Sequence, residues 1–289
     1  MGIHLDRARA HFGRDTTGML EGGRYSLVHT RSLEFDDLRP YVSGDDVRDI
    51  EWKASARSGN VLIKRFVSEK HHKILVVADA GRNMSATTPT GELKRDVAAN
   101  LAGAMGLITV RRSDEIGMVF GDRRGSVDIR LRRGETHIEY MLHRFQEHAT
   151  TGPSMSHVGT QLDWVARHYR HPLVIFVVSD EPDVDDRLHD VLTRLTGRHD
   201  VMWAMVSDAP AAGSIEDDRN GFDVGDGGFV LSDDLGADVI DAYRRAEVER
   251  RQHLSEFMTA HGVPHAMVRG SLAIRNAMLS MTGTYARAG

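Results

Sequence analysis

Ile74-Leu75-Val76-Val77-Ala78-Asp79-Ala80-Gly81-Arg82-Asn83 is the stretch on which the fold turns. Five apolar residues in a row, mostly β-branched, read as a strand buried on both faces, because a half-exposed strand would alternate with polar residues. Asp79 closes the run, and a loop rich in Ser, Thr, Pro and Gly follows. Leu93, Val97, Leu101, Ala104, Met105 and Ile108 then recur at helical spacing, which predicts a helix over about 92–111.

The same alternation continues outward. Segments 115–120 and 127–131 read as strands around a Gly-Asp-Arg-Arg-Gly turn, and 136–147 and 160–168 as helices. Leu173 to Val178 is a second doubly buried run, ending in Ser179-Asp180. Helix 184–196, strand 201–206, a long helix over 237–261, a strand at 265–268 and a final helix capped by Gly270-Ser271 complete the pattern. Buried strands alternating with amphipathic helices predict an α/β fold, with a mainly parallel central sheet covered by helices on both faces.

Ligands of such sheets sit beyond the carboxyl ends of the strands. Asp79 and Asp180 lie at two of those ends, and Thr160 begins a helix after a polar loop. Together with Asn83 they would gather two carboxylates, a hydroxyl and an amide oxygen, an all-oxygen set of the kind that holds Mg²⁺ or another divalent cation. A plainer role competes: an Asp after a buried strand often accepts backbone N–H bonds and caps the next turn.

Composition narrows the function. The 289 residues are 40% hydrophobic and 27% charged, the balance of a folded globular chain. A net charge of -5 with dispersed Lys and Arg argues against a nucleic-acid binder. The absence of cysteine excludes disulfides, thiolate metal sites and a thiol nucleophile. The apolar runs are too short to span a bilayer and the first residues lack the apolar core of a secretion signal, so the expected location is the cytoplasm. There is no phosphate-cradling glycine loop, no His-Glu-x-x-His among the sixteen histidines, and no serine on a nucleophile turn. Residues 216–223 imitate the opening of a calcium loop, but Gly227 stands where its bidentate acid belongs, so 223–229 is read as a turn between short strands. Trp164 and Trp203 are expected in the core.

Residues 1–70 are denser in charge and are expected to form an N-terminal charged β/α module, with 71–289 as the α/β domain. Within the first lies Leu33-Glu34-Phe35-Asp36-Asp37-Leu38-Arg39-Pro40-Tyr41-Val42-Ser43-Gly44-Asp45-Asp46-Val47-Arg48-Asp49-Ile50-Glu51-Trp52-Lys53-Ala54-Ser55-Ala56-Arg57. This block resembles the signature of the family called domain of unknown function 58, with Glu51 replacing the usual Asp before the Trp. Phe35, Leu38, Tyr41, Val47, Ile50 and Trp52 are expected to anchor the segment, with Asp45 or Asp46 capping a short helix and the remaining charges paired.

The order of elements downstream resembles a von Willebrand factor A domain, whose metal-ion-dependent adhesion site reads Asp-x-Ser-x-Ser with a Thr and an Asp from later loops. Asp79, Thr160 and Asp180 match it, while Gly81 and Asn83 replace the two serines. The resemblance implies a divalent cation, such as Mg²⁺, held by Asp79, Asn83, Thr160 and Asp180. It also implies a non-enzymatic protein-binding module that partners MoxR-type AAA+ ATPases, or their clients, in chaperone-like maturation or assembly. Two alternatives remain open: a metal-dependent hydrolase using Asp79 and Asp180 with Glu181 as base, and a metal-free scaffold in which the carboxylates only cap loops.

Overall fold

The computed structural model describes residues 2–12, 34–42, 45, 47, 50–67, 72–151, 153–209, 221–222, 229–230 and 237–288. In chain order these form helix α1 (Ile3–Phe12), strand β1 (Glu34–Pro40), helix α2 (Trp52–Ser58), strands β2 (Leu62–Val67) and β3 (Lys73–Asp79), and helix α3 (Lys94–Arg112). Strands β4 (Glu115–Asp122) and β5 (Gly125–Arg132) follow, then helices α4 (Glu135–Thr150) and α5 (Val158–His168). Strand β6 (Val174–Ser179), helix α6 (Asp186–Thr196), strand β7 (Asp200–Val206) and the two-residue strands β8 (Gly221–Phe222) and β9 (Phe229–Val230) come next. Helix α7 (Ala237–Ala260), strand β10 (His265–Val268) and helix α8 (Ile274–Ala288) end the chain.

Six strands build one sheet in the order β10-β7-β6-β3-β4-β5, all parallel except β5, which returns antiparallel beside β4. This is the expected α/β architecture, a mainly parallel central sheet with helices on both faces. β3 lies in the middle, with Ile74 beside both Ile116 and Val174, and that position explains its unbroken apolar run. Successive side chains alternate between the two faces. Ile74, Val76 and Ala78 enter the core formed with α1, α3, α4 and α8, whereas Leu75 and Val77 enter the core formed with α5, α6 and the end of α7. Trp203 is fully buried, as expected, and its indole N–H donates to Ser179 Oγ at 2.9 Å.

Helix α3 is buried along nearly its whole length. Small residues let its neighbours come close: a Cβ on Gly103 would lie 2.7 Å from the Ala8 methyl, and one on Gly106 2.6 Å from Ile138. This close packing fixes the start of α3 under the carboxyl edge of the sheet.

The division expected at residue 70 needs correction. Residues 28–71 separate as their own unit, but α1 belongs to the large one. Leu5 and Ala8 are buried in its core, and the Glu139 carboxylate accepts the N–H groups of His4 and Leu5 at 2.9 and 3.1 Å. Those amides are left over at the start of any helix, and a carboxylate from another helix satisfies them here.

In the smaller unit β1 pairs antiparallel with β2, and Ile50 and Ile63 are buried together across an isolated bridge. Arg39 holds Asp45 through two hydrogen bonds of 2.8 and 2.7 Å, and Asp45 also accepts the Val42 N–H. Two expected anchors are not anchors: Trp52 is 68% and Val47 60% exposed. The side chains of Phe35, Asp36, Asp37, Asp46, Arg48 and Asp49 lie outside the described residues, as does the calcium-like segment 216–220. The expected turn at 223–229 is flanked by the antiparallel pair Gly221–Phe222 and Phe229–Val230.

Candidate functional site

Asp79 and Asp180 sit at the same rim, because β3 and β6 are adjacent and parallel, with Ala78 beside Val178. The Asp79 carboxylate is 2% exposed. It accepts the Gly81 N–H at 2.7 Å and a hydrogen bond from the Ser156 hydroxyl. Burial pushes its pKa up to about 7, the nearby Asp180 charge adds to that, and the two hydrogen bonds oppose it.

Asn83 stands in a short 3-10 turn (Arg82–Ser85) immediately after Gly81. Its side-chain NH₂ donates to Asp180 Oδ2 at 3.0 Å, and its backbone N–H to Ser156 Oγ at 3.2 Å. Loop 153–157 is thereby stitched over the rim: Arg82 N–H donates to the Ser154 carbonyl, Ser154 N–H to Asp122 Oδ2, and Arg123 N–H to the Met155 carbonyl. Asp122 at the end of β4 is held down to about pKa 2; partial burial opposes this and is outweighed by hydrogen bonds from Arg124 and from the Ser154 and Arg124 amides.

Lys94 is the first residue of α3 and is 0% exposed. Its ammonium donates to Asp180 Oδ1 at 2.5 Å and to Asp208 Oδ1 at 2.6 Å. Asp208 follows β7, so carboxylates from two neighbouring strand ends close on one lysine. Partial burial and then the Asp180 charge raise the Asp208 pKa. Asp180 Oδ1 also accepts the Glu181 N–H at 2.7 Å.

Of the four residues expected at a metal, Asp79, Asn83 and Asp180 come together. Thr160 lies at the same rim, but its hydroxyl and N–H bond with His157 Nδ1 at 3.0 and 3.1 Å, capping α5. As arranged, the donor set does not fit a cation. The atom that Asn83 turns to Asp180 is a hydrogen-bond donor, Gly81 contributes no side chain, and an ammonium already contacts Asp180. Among the described residues no three His, Asp or Glu side chains group to hold a metal.

Ser156, Lys94 and Asp208 were missed in the sequence. Ser156 is remote in the chain and carries no motif. Lys94 left a signal: a cation in the first helical turn opposes the helix dipole, so it needs an acidic partner elsewhere.

Gly81 is required for packing. A Cβ there would lie 2.4 Å from Ser156 Cα and 2.6 Å from its N. Gly81→Ser, which restores the first serine of the adhesion motif, is therefore expected to displace loop 153–157 and cost about 1–3 kcal/mol, read by denaturant unfolding.

Glu181 is not placed as a base. Its side chain is 3% exposed and its carboxylate is bound by Arg250 and, at 3.1 Å, by Arg251 of α7.

Several known proteins resemble this chain. Over 125 residues it is 25% identical to uncharacterized protein Rv1480 of Mycobacterium tuberculosis and to uncharacterized protein Mb1516 of Mycobacterium bovis, covering 43% of this chain and 39% of each relative. The match thus spans about two fifths of the length of those relatives. Among solved structures, an aerotolerance-related membrane protein from Bacteroides fragilis aligns over 73% of this chain and 98% of its own, at 11% identity and a TM-score of 0.48. The SpRpn10 VWA domain aligns over 51% and 78%, at 12% identity and a TM-score of 0.34. No helix among the described residues of this chain is long and apolar enough to cross a membrane. The model of the family described as protein of unknown function DUF58 matches residues 37–215, spanning most of the short unit, the rim carboxylates and Lys94, and the chain belongs to that family.

Proposed function

We propose that this chain is a protein-binding module rather than an enzyme, and that it docks its partner at the carboxyl rim of the sheet. The observation that carries this reading is the gathering of three loops, 79–83, 153–157 and 180–185, into one hydrogen-bonded surface around Asp79 and Asp180. Arg82, Met155 and Asp183 are exposed on those loops, so the rim carries basic, adaptable apolar and acidic side chains. Family and fold alone do not fix a function, so the weight rests on this surface.

Catalysis is disfavoured by the same geometry. The Asp79 carboxylate is buried beneath its own loop, which bars a substrate from it, and Glu181 is tied between arginines. The partner class comes from the family resemblance: a MoxR-type AAA+ ATPase, or a client that such an ATPase remodels. An ATP-driven partner of this kind places the docking in the cytoplasm.

Surface binding of a purified MoxR-type ATPase to the full chain tests the reading. Met155→Asp is expected to weaken binding about tenfold or more, as a charge placed in a contact core does, without changing Tm. Tyr140→Asp, ten residues before the end of α4, serves as the control and should bind normally. Equal losses in both variants would remove the rim as the docking surface, and a wild-type chain that ignores the ATPase would remove the partner class.

A further inference from the structure

We infer that the Lys94 ammonium is the chain's own cation, standing where the rim carboxylates would otherwise gather a divalent ion, so that the rim is assembled without metal. The inference does not depend on which partner docks.

The ammonium is wholly buried and contacts carboxylates from the ends of two neighbouring strands, Asp180 at 2.5 Å and Asp208 at 2.6 Å. A charge removed from water in this way persists only when paired. Nothing local in α3 favours a lysine at its first position, where the helix dipole repels a cation. The acids at the strand ends account for it. They bring negative charge to the one point of the sheet where a cation is wanted, and α3 is packed tightly enough to deliver one there.

The surrounding donors agree. Asn83 and the Glu181 N–H both donate to Asp180, and with the ammonium they occupy three of the roughly four acceptor sites of that carboxylate. The Thr160 hydroxyl is engaged with His157. The position of the missing serine, Gly81, is filled by the Ser156 backbone, which leaves no volume for a side chain. A divalent ion brought to these carboxylates would meet a fixed positive charge at contact distance. The altered motif and the buried lysine are thus one adaptation: serine oxygens are lost where a metal is no longer held.

Manganese(II) binding to the full chain, followed by electron paramagnetic resonance and by thermal melts with Mn²⁺ or EDTA, tests this. The wild type should take up no stoichiometric Mn²⁺ at millimolar concentration, and its Tm should be the same with either additive. Lys94→Ala frees two carboxylates and should acquire a site for about one Mn²⁺ per chain, its Tm rising with Mn²⁺ concentration as linkage requires. Adding Asp180→Ala should abolish that gain. If Lys94→Ala does not fold, Lys94→Gln, which keeps a hydrogen-bond donor without the charge, carries the same comparison. Stoichiometric uptake by the wild type with a rise in Tm overturns the inference, as does a folded Lys94 variant that binds no Mn²⁺.

Discussion

Replacing Lys94 by Met is expected to lower the unfolding free energy by about 3 kcal/mol, the lower end of what removing one partner of a buried ion pair costs. Methionine nearly matches the volume of the lysine stem, so the loss reports on charge rather than on a cavity. The two acids left behind differ. The Asp208 side chain is 47% exposed and rehydrates, whereas Asp180 is 15% exposed and does so poorly. Most of the cost therefore falls on Asp180. Asp180→Asn in the Lys94→Met background should recover part of it, with a coupling above about 1 kcal/mol. Urea titrations at neutral pH measure all four proteins of the cycle, with an unchanged slope marking intact compactness. Strict additivity would mean that the lysine and Asp180 do not depend on each other, contrary to their 2.5 Å contact.

Asp79→Asn should change how stability depends on pH. The folded carboxyl has its pKa raised to about 7, chiefly by burial, from an ordinary 3.8. Between those values the folded chain holds a proton that the unfolded chain has released. Stability therefore falls as pH rises through this window and is lowest above it. A displacement of this size sets a ceiling of about 4 kcal/mol. Asparagine keeps an oxygen for the Gly81 N–H and an NH₂ for Ser156 Oγ but never ionises. Its stability curve should stay flatter from about pH 4 to 7 and lie above that of the wild type at pH 8. Denaturant midpoints across this range decide the matter, and two parallel curves would show that folding does not raise the Asp79 pKa.

The two rim acids could be read directly, because each ends an uninterrupted apolar run and such runs are adjacent parallel strands. Their neighbours could not. Ser156 reaches Asp79 only because loop 153–157 folds back over the 3-10 turn, a tertiary event with no periodic trace. Lys94 left a cue at a helix start, but its acidic partners lie 86 and 114 residues further on and carry no trace of the pairing. Residues 3–12 read as part of the N-terminal module for a related reason: two buried residues, Leu5 and Ala8, in a ten-residue helix are too few to reveal a docked face. Trp52 errs in the opposite sense. Aromatic character predicts burial on average, but a seven-residue helix with no buried residue cannot cover it.

Helix α7 carries a mechanical implication. Its first four turns are largely exposed, and hydrophobic packing begins only near Leu254 and Met258. Between these regions Arg250 and Arg251 grip Glu181, the residue bonded covalently to Asp180. A load on the exposed turns of the helix would reach the end of β6 through this charged clasp before it disturbed the oily interior. The outer arm of the molecule and its acidic rim are thereby geared to one another across a single peptide bond.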